Sequence, residues 1–599
     1  MRLPVVSLFF SVFLLVATAQ QPGPAQAPEP PKKARIEGVV VGPGGEPVAR
    51  VQVRLAGQLS VQAGQIVPAA AFSATSDDAG KFAIENIDPG KNYNLSAQRT
   101  GFVTARYGAR SATSPTVPLS LEAGQVMKGV SLTMTPQGVV TGRVTEPNGD
   151  PIQNARVLLM RRGYQRGVRQ LVLANTTNTN DQGDFRAANL APGRYYVMVQ
   201  NSPTAILAGG VAPKNAPIAT YYPNATEAQG AAPLDLAAGQ ELRGIDVRMR
   251  EGRVFTVRGK ALGVNGAPVA GSLILAMPKT SGDSSTQTLA LLNGIVGGQN
   301  QTKPDGSFEL RALTPGAYTL SAIATQTGAV RSSGQMDVNI VDADMADLAF
   351  SLVPGPSVTG TVRLEGGDLK ALLPPVDPNT SAQANALAVA ATNAGVAVNG
   401  ARLSIGLTPV NPLPLGGNPP ATIKDDGTFQ VDGVVPGKYQ LTVAALPQNM
   451  YVKSARLGGA DVTLGVVDLT RGGGGNIEIV LSNKAADITG AVRSDKNDSM
   501  IGVLVTLWTR DPEPGTNANG VRTATTDQTG TFQFKGLRPG VYYAAAWEDI
   551  DSGLAQARDF LTQFTSDATK LELAEGAHSA TEVKVVSAAK IKAAEEKLP

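Results

Sequence analysis

Residues 526–547 read TDQTGTFQFKGLRPGVYYAAAW, and the pattern in this stretch occurs five times along the 599-residue chain. In each copy a Gly-x-Phe is followed by Pro-Gly, seven positions after the Phe, and then by a Tyr. The Phe, Pro and Tyr of the five copies are Phe82, Pro89 and Tyr93; Phe185, Pro192 and Tyr195; Phe308, Pro315 and Tyr318; Phe429, Pro436 and Tyr439; and Phe532, Pro539 and Tyr542. A pattern repeated at this fixed internal spacing predicts five copies of one structural unit.

The local chemistry of the pattern predicts a turn, a strand, a second turn and a second strand. An Asp shortly before each Gly-x-Phe favours a tight turn, because Asp bonds the local backbone and Gly tolerates positive φ. Pro-Gly fits a type II turn, so we expect the strands on its two sides to form a hairpin. The turn aspartates are Asp78, Asp181, Asp305, Asp425 and Asp527. They could also bind calcium, but one or two carboxylates per turn are too few oxygens for that ion, and we favour turn capping.

Further strands surround each predicted hairpin. A first strand carries a Gly in every copy, a second strand alternates apolar and polar residues, and a closing pair of strands follows the hairpin. About seven short strands in each interval predict an all-β fold of tandem antiparallel β-sandwiches, transthyretin-like or Ig-like. The five first-strand glycines are Gly38, Gly142, Gly259, Gly360 and Gly490.

The repeat spacing predicts the domain boundaries. The Pro residues lie 103, 123, 121 and 103 positions apart, long enough for five separate cores arranged as beads. The predicted segments are a signal peptide at 1–19, a Pro-rich linker at 20–34, sandwiches at 35–136, 137–252, 253–354, 355–484 (with a long loop at 367–400) and 485–587, and a tail at 588–599. We call the five sandwich segments repeats 1 to 5.

The N-terminus predicts export. A basic start, an apolar stretch at 5–17 and the small residues Ala17 and Ala19 are typical of a secretory signal peptide cleaved before Gln20. An uncleaved anchor helix is the alternative, but the apolar stretch is short for a membrane span. We therefore expect an extracytoplasmic protein, in the periplasm, on the outer surface or secreted, without a membrane span after cleavage.

Composition argues against an enzyme. The chain has no Cys and a single His, His578, so Cys-ligated zinc, cysteine nucleophiles and ordinary histidine-based catalysis are excluded. With 52 Lys and Arg against 49 Asp and Glu, the charge gives no general attraction to nucleic acid. The four glycines at 472–475 favour a hairpin tip, since no Lys-Ser or Lys-Thr follows them. We expect no cofactor, no metal and no catalytic residue.

The repeated motif resembles the carboxypeptidase regulatory-like domain. The segments that carry the resemblance best are 142–159 with 180–197, and 490–507 with 526–547. The resemblance implies a transthyretin-like sandwich of the carbohydrate-binding-like group and an extracytoplasmic location. It implies no activity, because such domains are accessory modules beside peptidases and receptors. The layout is similar to that of secreted tandem-repeat proteins of soil bacteria.

The candidate ligand contacts are aromatic. Tyr221, Tyr222, Trp508 and Trp547 are the predicted ligand-binding residues, with Tyr164 as a further candidate. Trp508 alternates poorly with Val505 and Leu507 for a buried position, which leaves exposure open for it. For each of these aromatic residues we favour packing in a core or between domains over ligand binding.

Two functions remain open from the sequence. The first is a secreted, non-enzymatic binding or adhesion protein whose partner is a polysaccharide or an envelope protein. The second is a structural stalk or scaffold that presents a partner protein. An enzyme that uses carboxylates alone is a remote third, and the sequence does not indicate an oligomeric state.

Overall fold

The computed structural model describes most of the chain and shows a mostly β protein, as predicted. The described residues are 32–57, 60–62, 65–67, 70–109, 114, 116–165, 168–200, 214–279, 300–324, 331–373, 403–410, 418, 420–470, 474–494, 496–509 and 520–598. The predicted signal peptide, nearly all of the linker and most of the loop at 367–400 lie outside them. Among the described helices, none has the length and apolar character needed to cross a membrane.

The strands follow the five repeats. Repeat 1 contains β1 (Ala34–Val41), β2 (Gln52–Ala56), β3 (Ser60–Gln62), β4 (Gln65–Val67), β5 (Ala71–Thr75), β6 (Lys81–Ile87), β7 (Gly90–Gln98), β8 (Phe102–Val103), β9 (Ala105–Arg106), β10 (Leu119–Leu121), β11 (Val126–Thr133) and β12 (Thr135–Pro136). Repeat 2 contains β13 (Gly138–Thr145), β14 (Arg156–Gln165), β15 (Val168–Asn178), β16 (Asp184–Leu190), β17 (Gly193–Gln200), β18 (Asn215–Ile218), β19 (Thr220–Tyr221), a 3-10 helix (Ala228–Gly230), β20 (Leu234–Leu236), β21 (Glu241–Leu242), β22 (Val247–Arg248) and β23 (Arg250–Arg253).

The later repeats use fewer strands. Repeat 3 contains β24 (Phe255–Gly263), β25 (Leu273–Pro278), β26 (Ser307–Leu313), β27 (Gly316–Ala324), β28 (Ser332–Ile340) and β29 (Met345–Pro354). Repeat 4 contains β30 (Val358–Leu364), a 3-10 helix (Leu369–Leu372), β31 (Ser404–Pro409), β32 (Ala421–Thr422), β33 (Thr428–Val431), β34 (Lys438–Ala444), β35 (Tyr451–Leu457), β36 (Ala460–Asp461), β37 (Val466–Asp468) and β38 (Asn476–Ser482).

Repeat 5 adds helices to its strands. Its strands are β39 (Ala486–Arg493), β40 (Leu504–Thr509), β41 (Val521–Thr525), β42 (Thr531–Leu537), β43 (Gly540–Trp547), β44 (Thr569–Leu573) and β45 (His578–Val586). A 3-10 helix (Leu554–Gln556) and α1 (Arg558–Thr562) lie between β43 and β44, and α2 (Ala588–Glu595) follows β45. The predicted tail at 588–599 is therefore mainly helical.

The sheets are mixed, so the prediction of purely antiparallel sandwiches is wrong. In every repeat the first strand lies between two partners: it is antiparallel to the Phe strand and parallel to the closing strand, as β1 is to β6 and β11. The same arrangement recurs around β13, β24, β30 and β39. The parallel pairing arises because the chain passes through the second sheet before it returns to the first.

The predicted Pro-Gly hairpin does not form. In each repeat the Phe strand pairs with the first strand, whereas the Tyr strand pairs with the second strand, as β7 does with β2. The Pro-Gly step therefore carries the chain from one sheet to the other. It is not a type II turn either: φ of Gly193, Gly316 and Gly540 is 148° to 151°, far from the roughly +80° of that turn.

At each Pro-Gly step, the hydroxyl of the motif Tyr bonds a backbone carbonyl four or five residues earlier, an arrangement known as a tyrosine corner. The hydroxyl of Tyr195 donates to the carbonyl of Ala191, four residues earlier, at 2.7 Å. The same hydroxyl-to-carbonyl bond is made by Tyr93 to Asp88 (2.9 Å), Tyr318 to Thr314 (3.0 Å), Tyr542 to Arg538 (2.9 Å) and Tyr439 to Val435. Because the bond ties the Tyr strand back to the end of the Phe strand, it fixes the corner where the chain changes sheets.

The repeated Gly and Phe meet across the first sheet. Gly38 is paired with Phe82 in the register of β1 and β6, and a Cβ at Gly38 would lie 2.7 Å from the Phe82 ring. The other repeats show the same cross-strand pair: Gly142 with Phe185, Gly259 with Phe308, Gly360 with Phe429, and Gly490 with Phe532. The glycine leaves the space that the ring occupies.

The Asp turns are capped by side chains, but not always by the predicted residue. Asp305 and Asp527 accept backbone N–H bonds as expected. In repeats 1, 2 and 4 the capping side chains are Asp77, Asn180 and Asp426, each one residue away from the predicted Asp78, Asp181 and Asp425. The sequence pattern therefore predicts the turn. Which of two adjacent side chains accepts the backbone N–H bonds depends on the local backbone geometry.

The two sheets are joined in two of the repeats. Repeats 1, 2 and 4 each have two main sheets, whereas in repeat 3 the pairing of β28 with β29 makes one continuous six-stranded path. In repeat 5 the last residues of β43 pair with β45 and join its sheets in the same way. Five main hydrophobic cores each draw on one repeat alone.

Repeat 5 also contacts repeats far away in sequence, which the bead arrangement did not anticipate. The Gln528 side chain bonds both backbone groups of Ser120 in repeat 1, at 3.3 and 2.9 Å. Tyr164, near the tip of the β14–β15 hairpin of repeat 2, lies in a core cluster otherwise formed by repeat 5 and α2. A Cβ at Gly553 would lie 2.0 Å from the Tyr164 carbonyl oxygen, so the two backbones are in close contact.

Candidate functional site

The second sheet of repeat 2 is apolar on both faces. Along β17, Tyr195, Val197 and Val199 face the sandwich core, whereas Tyr196 and Met198 belong to a separate cluster on the opposite face. The other buried members of this outer cluster are Leu158, Met160, Leu171 and Tyr221. A sheet with two apolar faces needs a cover on each, and the segment 218–231 packs against the outer cluster.

A cleft of about 790 Å³ lies over this outer cluster and extends to repeat 3. Its repeat 2 side is formed by the β14–β15 hairpin, by β17 and by the segment that follows β18. Its repeat 3 side is the tyrosine corner at 314–318, together with Pro278. The corner is rigid because the Tyr318 hydroxyl bonds the Thr314 carbonyl, so one wall of the cleft is preformed.

Aromatic rings and polar side chains line the cleft together. Tyr196, Tyr221 and Tyr318 contribute rings, and the Arg162 guanidinium lies over the Tyr196 ring, 5.3 Å from its centroid. Arg169 and Glu227 add charges, and both are exposed. Burial raises the pKa of the Tyr318 hydroxyl, which donates its hydrogen bond to the Thr314 carbonyl.

The structure separates the two predicted tyrosines. Tyr221 lines the cleft, with 4% of its surface exposed. Tyr222, its neighbour in an extended segment, packs partly buried against the sandwich core on the other side. Of the four predicted ligand contacts, only Tyr221 lies at the cleft, and the assignment of ligand binding to any of them stays a prediction.

Trp508 is buried, in agreement with the packing interpretation that the sequence favours. Its exposed fraction is 2%, and that of Trp547 is 1%. Trp508 does point away from the core formed by Val505 and Leu507, but helix α1, the preceding 3-10 helix and α2 cover that face. Trp547 packs against Phe560 and Phe564 and donates its indole N–H to Thr506. Neither indole presents a free face for a ligand.

The remaining candidates have structural roles. Tyr164 is buried in the cluster of repeat 5. His578 begins β45, and its Nδ1 lies 2.7 Å from an Asp487 carboxylate oxygen. No group of three or more His, Cys, Asp or Glu side chains within the described ranges is arranged to hold a metal ion.

Sequence reasoning missed Tyr196, Arg162 and Arg169, although a signal was present. The strands RVLLM at 156–160 and YYVMV at 195–199 are apolar without alternation. Such runs are typical of a sheet buried on both faces. They indicated a second apolar surface on repeat 2 that could form the base of a binding site.

The family comparison agrees with the repeat pattern. Residues 35–135 and 139–208 match the carboxypeptidase regulatory-like domain family. Residues 35–208 contain two carboxypeptidase regulatory-like domains. The second of these domains supplies the hairpin and the β17 strand of the cleft. No curated protein matches the chain.

Several solved structures are similar at low identity. The Bacillus anthracis TIE protein is 9% identical, with a TM-score of 0.13, and the match covers 90% of this chain and 68% of that one. A streptococcal ancillary pilin is 12% identical, with a TM-score of 0.18, over 53% of this chain and 99% of its own. The minor pilin GBS52 of Streptococcus agalactiae is 12% identical, with a TM-score of 0.19, and the match covers 36% of this chain and 95% of that one. TM-scores this low say nothing about how the regulatory-like domains are arranged or what they bind.

Proposed function

We propose that this chain is a non-enzymatic binding protein of the cell envelope. In this proposal residues 1–19 are removed on export, five β-sandwiches follow at the boundaries given above, and a carbohydrate occupies the cleft between repeats 2 and 3. The observation that carries the proposal is the cleft itself, which combines tyrosine rings with polar side chains beside the apolar outer cluster of the second sheet.

The dimensions and chemistry of the cleft support a saccharide ligand. A volume of about 790 Å³ lies within the range of small-molecule sites and accommodates a short oligosaccharide. Gln229 is exposed in this lining, and its amide can donate to and accept from sugar hydroxyls. Tyr196, Tyr221 and Tyr318 supply apolar lining, and each is largely buried, with 4% to 7% of its surface exposed. This combination is better suited to a polyhydroxylated ligand than to a purely apolar one.

A scaffold is the second candidate function. The contacts of repeat 5 with repeats 1 and 2 support it, because they tie distant parts of the chain together. A scaffold needs a fixed shape but no occupied cleft, so the two functions differ in whether the cleft binds anything.

Filling the cleft tests the proposal. Ala317 lines the cleft in β27, so Ala317→Trp should occupy the space and weaken binding of any saccharide by about tenfold or more. Ala349→Trp is the matched control, because Ala349 is an exposed strand alanine outside the cleft. Titration of residues 20–599 against a panel of neutral and acidic oligosaccharides is the measurement. Unchanged affinity in Ala317→Trp would exclude the cleft, and an absence of saccharide binding would favour the scaffold.

A further inference from the structure

The β14–β15 hairpin carries a concentration of positive charge. Between Asp150 and Asp181 the sequence has no acidic residue and five arginines. They are Arg156, Arg161, Arg162, Arg166 and Arg169. The chain as a whole is almost balanced, with a formal charge of +3, so this segment stands apart from the rest of the protein.

Two of these arginines line the cleft. The side chains of Arg162 and Arg169 are exposed, and within the described part of the chain neither forms an ion pair with a carboxylate. Glu227 is the one acidic residue among the described cleft-lining side chains. Counted over the described residues, the lining of the cleft therefore has an excess of positive charge.

The Arg162 guanidinium is already oriented. Its position over the Tyr196 ring holds the planar group at the base of the cleft, at the outer face of the β17 sheet. An ordered guanidinium loses less conformational entropy when it binds, and its donors match the geometry of a carboxylate or a similar oxyanion.

We propose that the ligand of the cleft is an acidic saccharide whose anionic groups pair with Arg162 and Arg169. In either case the ligand is a sugar chain that bears carboxylates or sulfates. Its sugar rings lie over the tyrosines, and its anionic groups lie at the β14–β15 hairpin. This inference rests on the proposed function and names its ligand class. Binding of this kind weakens as salt screens the charges.

Three probes test the ligand class on the mature chain. An oligogalacturonate supplies carboxylates, its methyl ester has the same backbone without charge, and a carrageenan oligomer supplies sulfates. We expect one of the charged oligomers to bind at least about tenfold more tightly than the methyl ester, in line with charge-assisted hydrogen bonds. Whichever charged oligomer binds identifies the anion.

Substitution of Arg162 and Arg169 tests whether these side chains bind the anionic groups of the ligand. Arg162→Ala combined with Arg169→Ala should lower the affinity for the charged oligomer about tenfold or more and flatten its salt dependence. Arg186→Ala is the matched control, because Arg186 is exposed on β16 of the same repeat, outside the cleft.

The outcomes separate the two proposals. Equal binding of the methyl ester and the charged oligomers, lost in Ala317→Trp, would overturn the acidic ligand and keep the carbohydrate cleft. Charged-oligomer binding that survives the double arginine substitution would also overturn this inference. Binding of none of the three probes, together with no hit in the wider saccharide panel, would overturn both proposals.

Discussion

The five Gly–Phe pairs explain why two separate parts of the repeated motif occur together. The Gly of the first strand is the cross-strand partner of the Phe, and the ring occupies the space where a Cβ would lie. Both residues are visible in the sequence, but their contact is not, because they lie 42 to 69 positions apart and their pairing depends on the fold.

Gly38→Ala should destabilise repeat 1. Its Cβ would lie 2.3 Å from the Val130 carbonyl oxygen and 2.7 Å from the Phe82 ring, so the sheet or the ring must shift. Overpacking of this kind costs about 1–3 kcal/mol. Gly57→Ala is the control, since the nearest atom to its Cβ would be 3.4 Å away. Chemical denaturation measures both variants, and equal stability of the two would contradict the packing role of Gly38.

The tyrosine corners should make stability depend on alkaline pH. Burial is the main reason why the pKa of Tyr195 is raised, and the same holds for the other corner tyrosines. A pKa that is higher in the folded state contributes stability below the unfolded value, about 10, and this stability is lost as pH rises through the folded value. The free energy of unfolding should therefore fall above about pH 10.

Tyr195→Phe isolates one corner. It removes the bond to the Ala191 carbonyl and should cost about 1 kcal/mol at neutral pH. It also removes one titrating group, so the loss of stability above about pH 10 should be shallower than in the unsubstituted chain. Urea unfolding at a series of pH values measures both effects. An unchanged stability at neutral pH would show that the corner bond contributes nothing.

At the scale of elements, the sequence predicted most strands but not their partners. The Phe and Tyr strands are adjacent in sequence, which favours a hairpin, yet the corner sends them into different sheets. The deciding interaction is the Tyr hydroxyl bond, and a sequence shows only that a Tyr is present. In the same way Tyr221 was recognised as a candidate, whereas Arg162 became one only when the hairpin and β17 were brought together.

The β14–β15 hairpin links the cleft to repeat 5. Its tip contributes Tyr164 to the cluster that contains both tryptophans of the chain, Trp508 and Trp547. Tryptophan emission therefore reports directly on whether the hairpin is docked. Tyr164→Ala should shift the emission to the red, because water reaches the cluster, and should weaken ligand binding through the displaced arginines.

Tyr164→Phe is the control for this docking. The Tyr164 hydroxyl is buried and has no hydrogen-bond partner among the described residues, so its removal should cost little. Both variants are read by fluorescence and by titration with the saccharide. Identical emission spectra for Tyr164→Ala and the unsubstituted chain would show that the hairpin tip is not docked on repeat 5.

At the scale of the whole molecule, the repeats do not lie as independent beads. The Gly–Phe pair and the tyrosine corner recur in all five copies of the motif, but the contacts of Gln528 with Ser120 and of Gly553 with Tyr164 join residues about 400 apart. Nothing in a repeat pattern indicates which repeats touch. The apolar outer face of repeat 5 was visible in LVTLW at 504–508, although its cover was not.

Gly553→Val should separate repeat 5 from the β14–β15 hairpin of repeat 2. Gly553 has φ of −75°, so a side chain there causes no backbone strain, but its Cβ would collide with the Tyr164 carbonyl oxygen. We expect a larger radius of gyration in small-angle X-ray scattering while the β content by circular dichroism is unchanged. A radius of gyration equal to that of the unsubstituted chain would contradict the closing role of this contact.

Hydrogen–deuterium exchange of the mature chain, measured alone and with each of the two charged oligomers at saturating concentration, tests the ligand cleft most directly. The account predicts slower exchange in three separate segments: 162–171 of the hairpin, 218–229 beside it, and 314–318 of repeat 3. Protection of these three together requires a ligand between repeats 2 and 3. Protection confined to another repeat, or no change in any segment, would contradict it.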